Sequence, residues 1–359
     1  MGLFTRTKDK AIQQKIQKLS AKERRVLKLL LLGSGDSGKT TIFKQFKILY
    51  GIHKAGVDER SRSAMRNPLF GNVISGAKAL LAGIEELQEQ GLTQPLDNPN
   101  ALAAKDVIDA LDHRHNEMSP EIAGAIETLV KDEKFLLAWK NRSKLQVLDS
   151  WLEIASNCED YPQWGGPEWI PSEKEYLLTR VRTTGVIQET FNLDNARIQL
   201  VDVGGQRNER KKWIHCFGGV TGVLYVAAAS EYDQPLFEDK SRNRLVEALG
   251  LFGSVANTAT FKETTMILFL NKSDIFRDKL CVRKIPLNVS GEFPDAPDTF
   301  DYDAGVQWLQ NKFIEQSNGA NKLVYAHVTT ATDKSNIGVV IDAVRTTVLK
   351  EALENLRFT

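Results

Sequence analysis

The sequence predicts an α/β protein whose mostly parallel, six-stranded sheet carries helices on both faces, with an all-helical segment inserted into it. Three observations lead there. Short apolar, β-branched runs alternate with helical stretches after residue 178, the arrangement of parallel strands joined by crossover helices. An early apolar run stops at a glycine-rich loop that restarts as a helix. Between the two, residues 53–177 show helical periodicity and few strand-like runs. The expected divisions are 1–25 as an N-terminal amphipathic helix, 26–52 with 178–359 as the sheet domain, and 53–177 as the helical insert.

Each element has its own signal. Ile12, Ile16 and Leu19 recur at helical spacing in a basic segment. The first 28 residues hold nine Lys or Arg against two acids, Asp9 and Glu23. Such a segment is either a solvated helix face or a contact for an acidic surface. Val26 to Leu32 is nearly all apolar and ends at Gly33, as in a buried parallel strand. Thr40 to Tyr50 reads as the helix after the loop. In the insert, Leu80, Leu81, Ile84 and Leu87 share a helix face, and Pro95, Pro99, Pro162, Pro167 and Pro171 mark loops. Val186–Leu193 and Arg197–Val203 flank Asp194-Asn195, a hairpin signal. Val220–Ala229, Thr265–Leu270 and Leu323–Val328 are further strand candidates, with a helix from Asn243 to Phe252 between them. Ile337, Val340, Ile341, Val344 and Val348 line one side of a long last helix.

Composition narrows the classes. The chain is 42% hydrophobic and 26% charged with a formal net charge of +1, so no global field draws it to nucleic acid. Cys158, Cys216 and Cys281 lack metal or disulfide spacing, which fits a reducing compartment. No apolar run approaches the ~20 residues of a membrane span, and no signal peptide is visible.

Three motifs carry chemistry. Gly33-Ser-Gly-Asp-Ser-Gly38-Lys39-Thr40 fits GxxxxGK[ST] in full. Glycines let backbone N–H groups approach phosphates, and the next helix aims its positive end at them. Lys39 supplies charge to the β and γ oxygens, and the Thr40 hydroxyl is a Mg²⁺ ligand. Asn271-Lys272-Ser273-Asp274 follows the strand ThrThrMetIleLeuPheLeu. A carboxylate at Asp274 accepts two hydrogen bonds from guanine; adenine offers neither and leaves a buried carboxylate unpaired. The pair of motifs therefore selects GTP over ATP, and a metabolic P-loop kinase leaves the second motif unexplained. Third, Asp202-Val-Gly-Gly205-Gln206 closes a strand. Asp202 holds Mg²⁺ through water, Gly205 offers its N–H to a γ-phosphate, and Gln206 orients an attacking water.

With these and longer stretches, the sequence resembles the heterotrimeric G-protein alpha subunits over nearly its whole length. Arg180-Val-Arg-Thr183-Thr-Gly185 is similar to the family's first switch and DVGGQRNERKKWIHCF (202–217) to its second; Asn243-Arg-Leu and Ile267-Leu-Phe-Leu-Asn-Lys also match. The resemblance implies a Ras-like P-loop GTPase fold that hydrolyses GTP to GDP with Mg²⁺. It implies Arg180 as an arginine supplied in cis and Gln206 as the residue positioning water, as in the general phosphoryl-transfer template. It implies Thr183 as a second Mg²⁺ ligand, and Arg210 with Glu247 as a lock on the second switch through Gly205. Nucleotide contacts then fall on Gly33, Asp36, Ser37, Gly38, Lys39, Thr40 and Thr41 in the loop, and on Ser150 beside Asp149, Leu178, Arg180 and Thr183 across the cleft. At the base they fall on Asn271, Lys272 and Asp274, and on Ala331 through its N–H. Trp213 reads as core that also meets partners.

Implied partners are a beta-gamma dimer, a seven-helix receptor or other exchange factor, a hydrolysis-accelerating regulator and an unnamed effector, at the cytoplasmic face of the plasma membrane or, because the lipidation signals are weak, in the cytoplasm. Four departures stand out. Asp36 replaces the usual Glu and is one methylene shorter. Thr330 replaces a Cys. Arg6 stands where the myristoylation pattern after Gly2 has Ser or Thr. The tail Glu-Asn-Leu-Arg-Phe-Thr359 has no cysteine four from its end. They leave open a second reading, a GTP-binding interaction protein that activates itself without receptor or beta-gamma.

Overall fold

A computed structural model describes residues 26–355, apart from 52–55, 146, 158–163, 165, 167, 194–195, 237 and 318–322. The basic N-terminal segment, Gly2, Cys158, the Asp194-Asn195 turn and the tail after Asn355 lie outside the described residues.

Six strands form one sheet in the order β2-β3-β1-β4-β5-β6. They are β1 (Val26–Leu32), β2 (Val186–Leu193), β3 (Ala196–Val203), β4 (Gly222–Ala228), β5 (Thr265–Asn271) and β6 (Val324–Val328). Only β2 runs antiparallel, against β3. Along β1, Leu27, Leu29 and Leu31 face one apolar cluster and Leu30 and Leu32 the other. This period of two, apolar on both sides, is why the run reads as uninterrupted. Helix α1 (Lys39–Tyr50) covers the first face with Ile42, Phe43 and Phe46, beside Ile337, Ile341 and Val344 of the last helix, α12 (Lys334–Asn355). The second face packs on Phe252 of α9 (Arg244–Ala256) and Phe313 of α11 (Tyr302–Glu315).

Boundaries shift slightly from the sequence reading. β4 ends at Ala228 because Ala229 opens a 3-10 turn, and β6 starts at Val324, after the exposed Leu323. Asn243 is the cap of α9, its side chain accepting from Leu245 N–H at 2.7 Å and Val246 N–H at 3.3 Å, which satisfies donors that a helix start leaves free.

Seven helices lie between α1 and β2 among the described residues: α2 (Glu59–Ser63), α3 (Arg66–Glu89), α4 (Pro99–Asp109), α5 (Pro120–Lys131), α6 (Glu133–Lys140), α7 (Trp151–Ala155) and α8 (Glu173–Leu178). They build their own core, in which Leu80, Leu81, Ile84 and Leu87 pack with Phe135, Trp139 and Trp151. Helix α8 belongs to both units. Tyr176 and Leu177 pack on Ile48 of α1, whereas Leu178 touches the helical core.

β1 lies at the centre, paired to β3 on one side and β4 on the other. β2 and β3 thus add on one side of β1 and β4 to β6 on the other, and the carboxyl ends of the strands at that switch in strand order form the crevice where such sheets bind ligands. Asp202 is paired beside Leu31, and Asn271 beside Ala228, so both motifs reach that crevice.

Candidate functional site

The loop after β1 is shaped by two glycines that no other residue fits. Gly33 has φ +144, and an added Cβ would stand 2.1 Å from Val226 O. Gly38 has φ +100, and its Cβ would stand 2.1 Å from Asn271 Nδ2. Asp36 is also left-handed, at φ 61, which Asp tolerates better than most residues. Lys39 curls back under the loop, donating to Gly33 O at 3.0 Å and Ser34 O at 2.6 Å. Burial pushes its pKa down to about 8, against the opposing pull of Asp202 and Asp36.

Three oxygens meet at the foot of α1. The Thr40 hydroxyl donates to Asp202 Oδ2 at 2.8 Å and lies 2.8 Å from the Thr183 hydroxyl. Asp202 is fully buried, and its other oxygen, Oδ1, has no hydrogen-bond partner. Burial raises its pKa, as expected of a carboxylate short of counter-charge. One carboxylate and two hydroxyls fit Mg²⁺, a hard ion that takes oxygen ligands and keeps waters and phosphate oxygens in its shell.

Arg180 enters the cleft from the segment after α8. Its Nε donates to Asp36 Oδ1 at 2.6 Å, and Arg244 Nη1 lies 3.9 Å from Asp36 Oδ2. The shorter acid therefore still reaches the arginine. Burial alone would raise the Asp36 pKa, but Arg180 and Arg244 outweigh it and hold the carboxyl below its usual value. Gln206 lies against the loop: a Cβ on Gly35 would meet its Nε2 at 2.6 Å. Gly205 lies close over Lys39, with room for no side chain between them.

At the base end, Asn271 ties three segments together. Its Nδ2 donates to Ser37 O at 2.9 Å, and its Oδ1 accepts from Ala331 N–H at 3.0 Å and the Thr329 hydroxyl at 3.2 Å. The Ala331 N–H expected to meet the base is thus engaged by Asn271, as a buried donor must be by some acceptor. Lys272, at φ 57, donates to Asp149 Oδ2 at 2.8 Å and to Glu231 Oε1 at 3.5 Å. Asp274 is the second residue of α10 (Ser273–Arg277) and lines the cleft rim. Ser150 donates to Leu178 O at 3.2 Å.

The cleft brings together Asp36, Gly38, Lys39, Thr40, Thr41, Ser150, Leu178, Arg180, Thr183, Gly205, Gln206, Asn271, Lys272, Asp274 and Ala331. Gly33, Ser37 and Asp202 stand behind its wall, buried, as supports.

The segment after Gly205 is anchored on Glu247 of α9. Arg210 Nη1 reaches Glu247 Oε1 at 2.7 Å while its Nε donates to Gly205 O at 3.0 Å. Two further guanidiniums, from Arg207 and Arg242, each reach Oε2 at 2.9 Å. The sequence pointed to Arg210 alone. The Arg207 hydrogen bond outweighs burial, and with Arg210 it lowers the Glu247 pKa to about 2. Trp213 is buried and donates to Gly204 O at 2.8 Å.

The family profile described as G-protein alpha subunit matches residues 6–348. The chain belongs to the G-protein alpha subunit family. It is 35% identical over 348 residues to a guanine nucleotide-binding protein subunit alpha of Cochliobolus heterostrophus, covering 96% of this chain and 94% of that one. It is also 35% identical to the alpha-1 subunit of Neurospora crassa over 97% of this chain and 95% of that one. With the alpha-17 subunit of Caenorhabditis elegans it shares 35% over 92% and 90% respectively. Members of this family bind GTP and GDP, use Mg²⁺ and hydrolyse GTP as signalling switches, and this alpha subunit is one of them. In general they work with a beta-gamma dimer, a receptor and regulators. Among the described residues of this alpha subunit, no helix is long and apolar enough to cross a membrane.

Two side chains of the alpha subunit escaped the sequence reading. Lys44, on α1, donates to Tyr176 O at 2.6 Å and Thr179 O at 2.8 Å. Burial pushes its pKa down to about 8. Asn72, on α3, accepts the Arg180 backbone N–H at 2.6 Å. Neither belongs to a motif, so only the folded chain reveals them.

Proposed function

We propose that this alpha subunit hydrolyses GTP with Arg180 and Gln206 as its catalytic side chains. Thr40 and Thr183, with Asp202 through water, hold Mg²⁺, which neutralises phosphate charge when bound. Lys39 and the loop from Gly33 to Thr41 hold the phosphates. Asn271, Lys272, Asp274 and Ala331 hold the guanine, and Asp149 with Ser150 faces them from the helical insert at 53–177. The observation that carries this reading is the convergence of the Arg180 guanidinium, the Gln206 amide and the Thr40 and Thr183 hydroxyls on one cleft, with Asp202 buried directly behind the Thr40 hydroxyl. A guanidinium there stabilises charge spreading over the transferred phosphoryl group.

In the same reading GTP orders both switches, and hydrolysis releases them and changes partners. The beta-gamma dimer takes the N-terminal segment and the second switch, the receptor takes α12, and effectors take the second switch with α9. Work at the cytoplasmic face of the plasma membrane then rests on basic residues and beta-gamma rather than on strong lipidation. Replacing Gln206 by Leu tests the assignment: binding of GTPγS should persist while turnover falls by about 100-fold or more. Unchanged hydrolysis would refute the role of Gln206. Spontaneous GDP release decides between this reading and self-activation. Release slower than hydrolysis means the protein rests with GDP and waits for an exchange factor; release faster than hydrolysis favours self-activation.

A further inference from the structure

We propose that Asn72 is a positioning residue for GTP hydrolysis, setting where the Arg180 side chain enters the cleft by holding the Arg180 backbone. The inference rests on the reading of Arg180 as the catalytic arginine.

Asn72 lies 108 residues before Arg180, on a helix of the insert. Its bond to the Arg180 N–H, at 2.6 Å, is the one hydrogen bond made by that backbone unit among the described residues. The helix beneath Asn72 is tied to Trp151. Trp151 Nε1 donates to Val73 O at 2.8 Å, one residue along α3. A Cβ added to Gly76, the next turn, would stand 2.0 Å from the Trp151 ring, so helix and indole are in close contact. The opposite end of the arginine is held by Asp36, through Nε.

Residues 176–179 are held separately, by Lys44 on two carbonyls and Ser150 on a third. Beyond Arg180, Val181 and Arg182 are exposed. Asn72 thus holds the backbone of Arg180, the residue at which the first switch begins. A guanidinium acts only where charge develops, and its side chain has several rotatable bonds between Cα and that point. Fixing the Cα removes freedom that would otherwise be lost in the transition state, and displacements near 1 Å cost rate steeply. Asp36 is a short acid, so it meets the arginine only from a nearly fixed starting position. The helical insert therefore contributes to the chemical step as well as covering the cleft.

The test is single-turnover hydrolysis of preloaded GTP by the full chain, so that altered GDP release does not enter the rate. N72A should slow hydrolysis about tenfold while binding GTPγS normally. N72D, which keeps the acceptor oxygen, should recover most of that loss, and N72L, similar in size without it, should not. In an R180A background, N72A should add nothing, because the group it positions is gone. An unchanged rate in N72A, or an equal further loss in R180A, overturns the inference. Where N72A fails to fold, the N72D and N72L pair decides: equal rates refute it. If R180A itself hydrolyses GTP at the wild-type rate, the underlying reading of Arg180 falls instead.

Discussion

Replacing Asp149 by alanine should speed GDP release, because Asp149 holds the helical insert to the base end of the cleft. Its Oδ2 accepts from Lys272 Nζ at 2.8 Å across 123 residues of sequence. Burial alone would raise its pKa, but Lys272 and Lys279 outweigh burial and hold the carboxyl well below the usual range. The pair is therefore fully charged at neutral pH. A hydrogen bond between charged groups contributes about 1.5–3 kcal/mol. Stranding a buried charge costs more, ~3–5 kcal/mol, but Lys272 keeps Glu231 at 3.5 Å, so the lower range applies. At about 1.4 kcal/mol per tenfold, closure weakens by roughly 10- to 100-fold, and release rises by the same factor where opening limits it. The assay is displacement of fluorescent GDP by excess GTPγS in the presence of Mg²⁺. D149N, which keeps an acceptor oxygen without the charge, should fall between wild type and D149A. An unchanged release rate in D149A, with the protein still folded, would refute the reasoning.

Three other outcomes follow from the geometry. A methyl at Gly205 would stand 2.3 Å from Lys39 Nζ and 2.6 Å from Ser34 O; G205A should bind GDP yet lose the Trp213 fluorescence change on GTPγS binding, and a normal change would refute the close-approach argument. The hydroxyls of Ser273 and Thr330 lie 2.8 Å apart, so a double-mutant cycle of S273A and T330A on GDP dissociation should show coupling of about 0.5–1.5 kcal/mol. Additive effects would mean the hydroxyl pair does no holding. Glu247, at about 2 against an ordinary 4.5, has a depressed folded-state pKa. Its stabilisation is present above about 4.5 and is lost as pH falls toward about 2; thermal melts of E247Q should be flatter than wild type across that window, and parallel curves would remove the three arginines from the account.

The parts legible in the sequence were those in which neighbouring residues do one job. Gly33 and Gly38 are dictated by local backbone geometry, and the run from Leu27 to Leu32 announces a strand with two buried faces. Asp202 and Asn271 were recognisable because each closes a strand, and strand ends in such a sheet converge. What stayed hidden depends on residues distant in the chain. Lys44 is an ordinary helix lysine until its ammonium is found on the carbonyls of Tyr176 and Thr179, 132 and 135 residues away. Arg242 is one charge in an acidic and basic loop until it meets the Glu247 carboxylate that Arg207 and Arg210 already share.

The chain passes into the helices after α1 and returns through α8, and both crossings meet where Ile48, Tyr176 and Leu177 pack with Val57 and Met65. An insert leashed at two adjacent points differs from a domain on a single tether. Its contact surface stays within a short radius of the cleft, so its local concentration remains high however often contact is broken. Recapture is then an intramolecular event, independent of how dilute the protein is. A nucleotide leaving the cleft competes with that recapture at every opening, so its departure rate reflects the ratio of two internal steps rather than its own affinity alone.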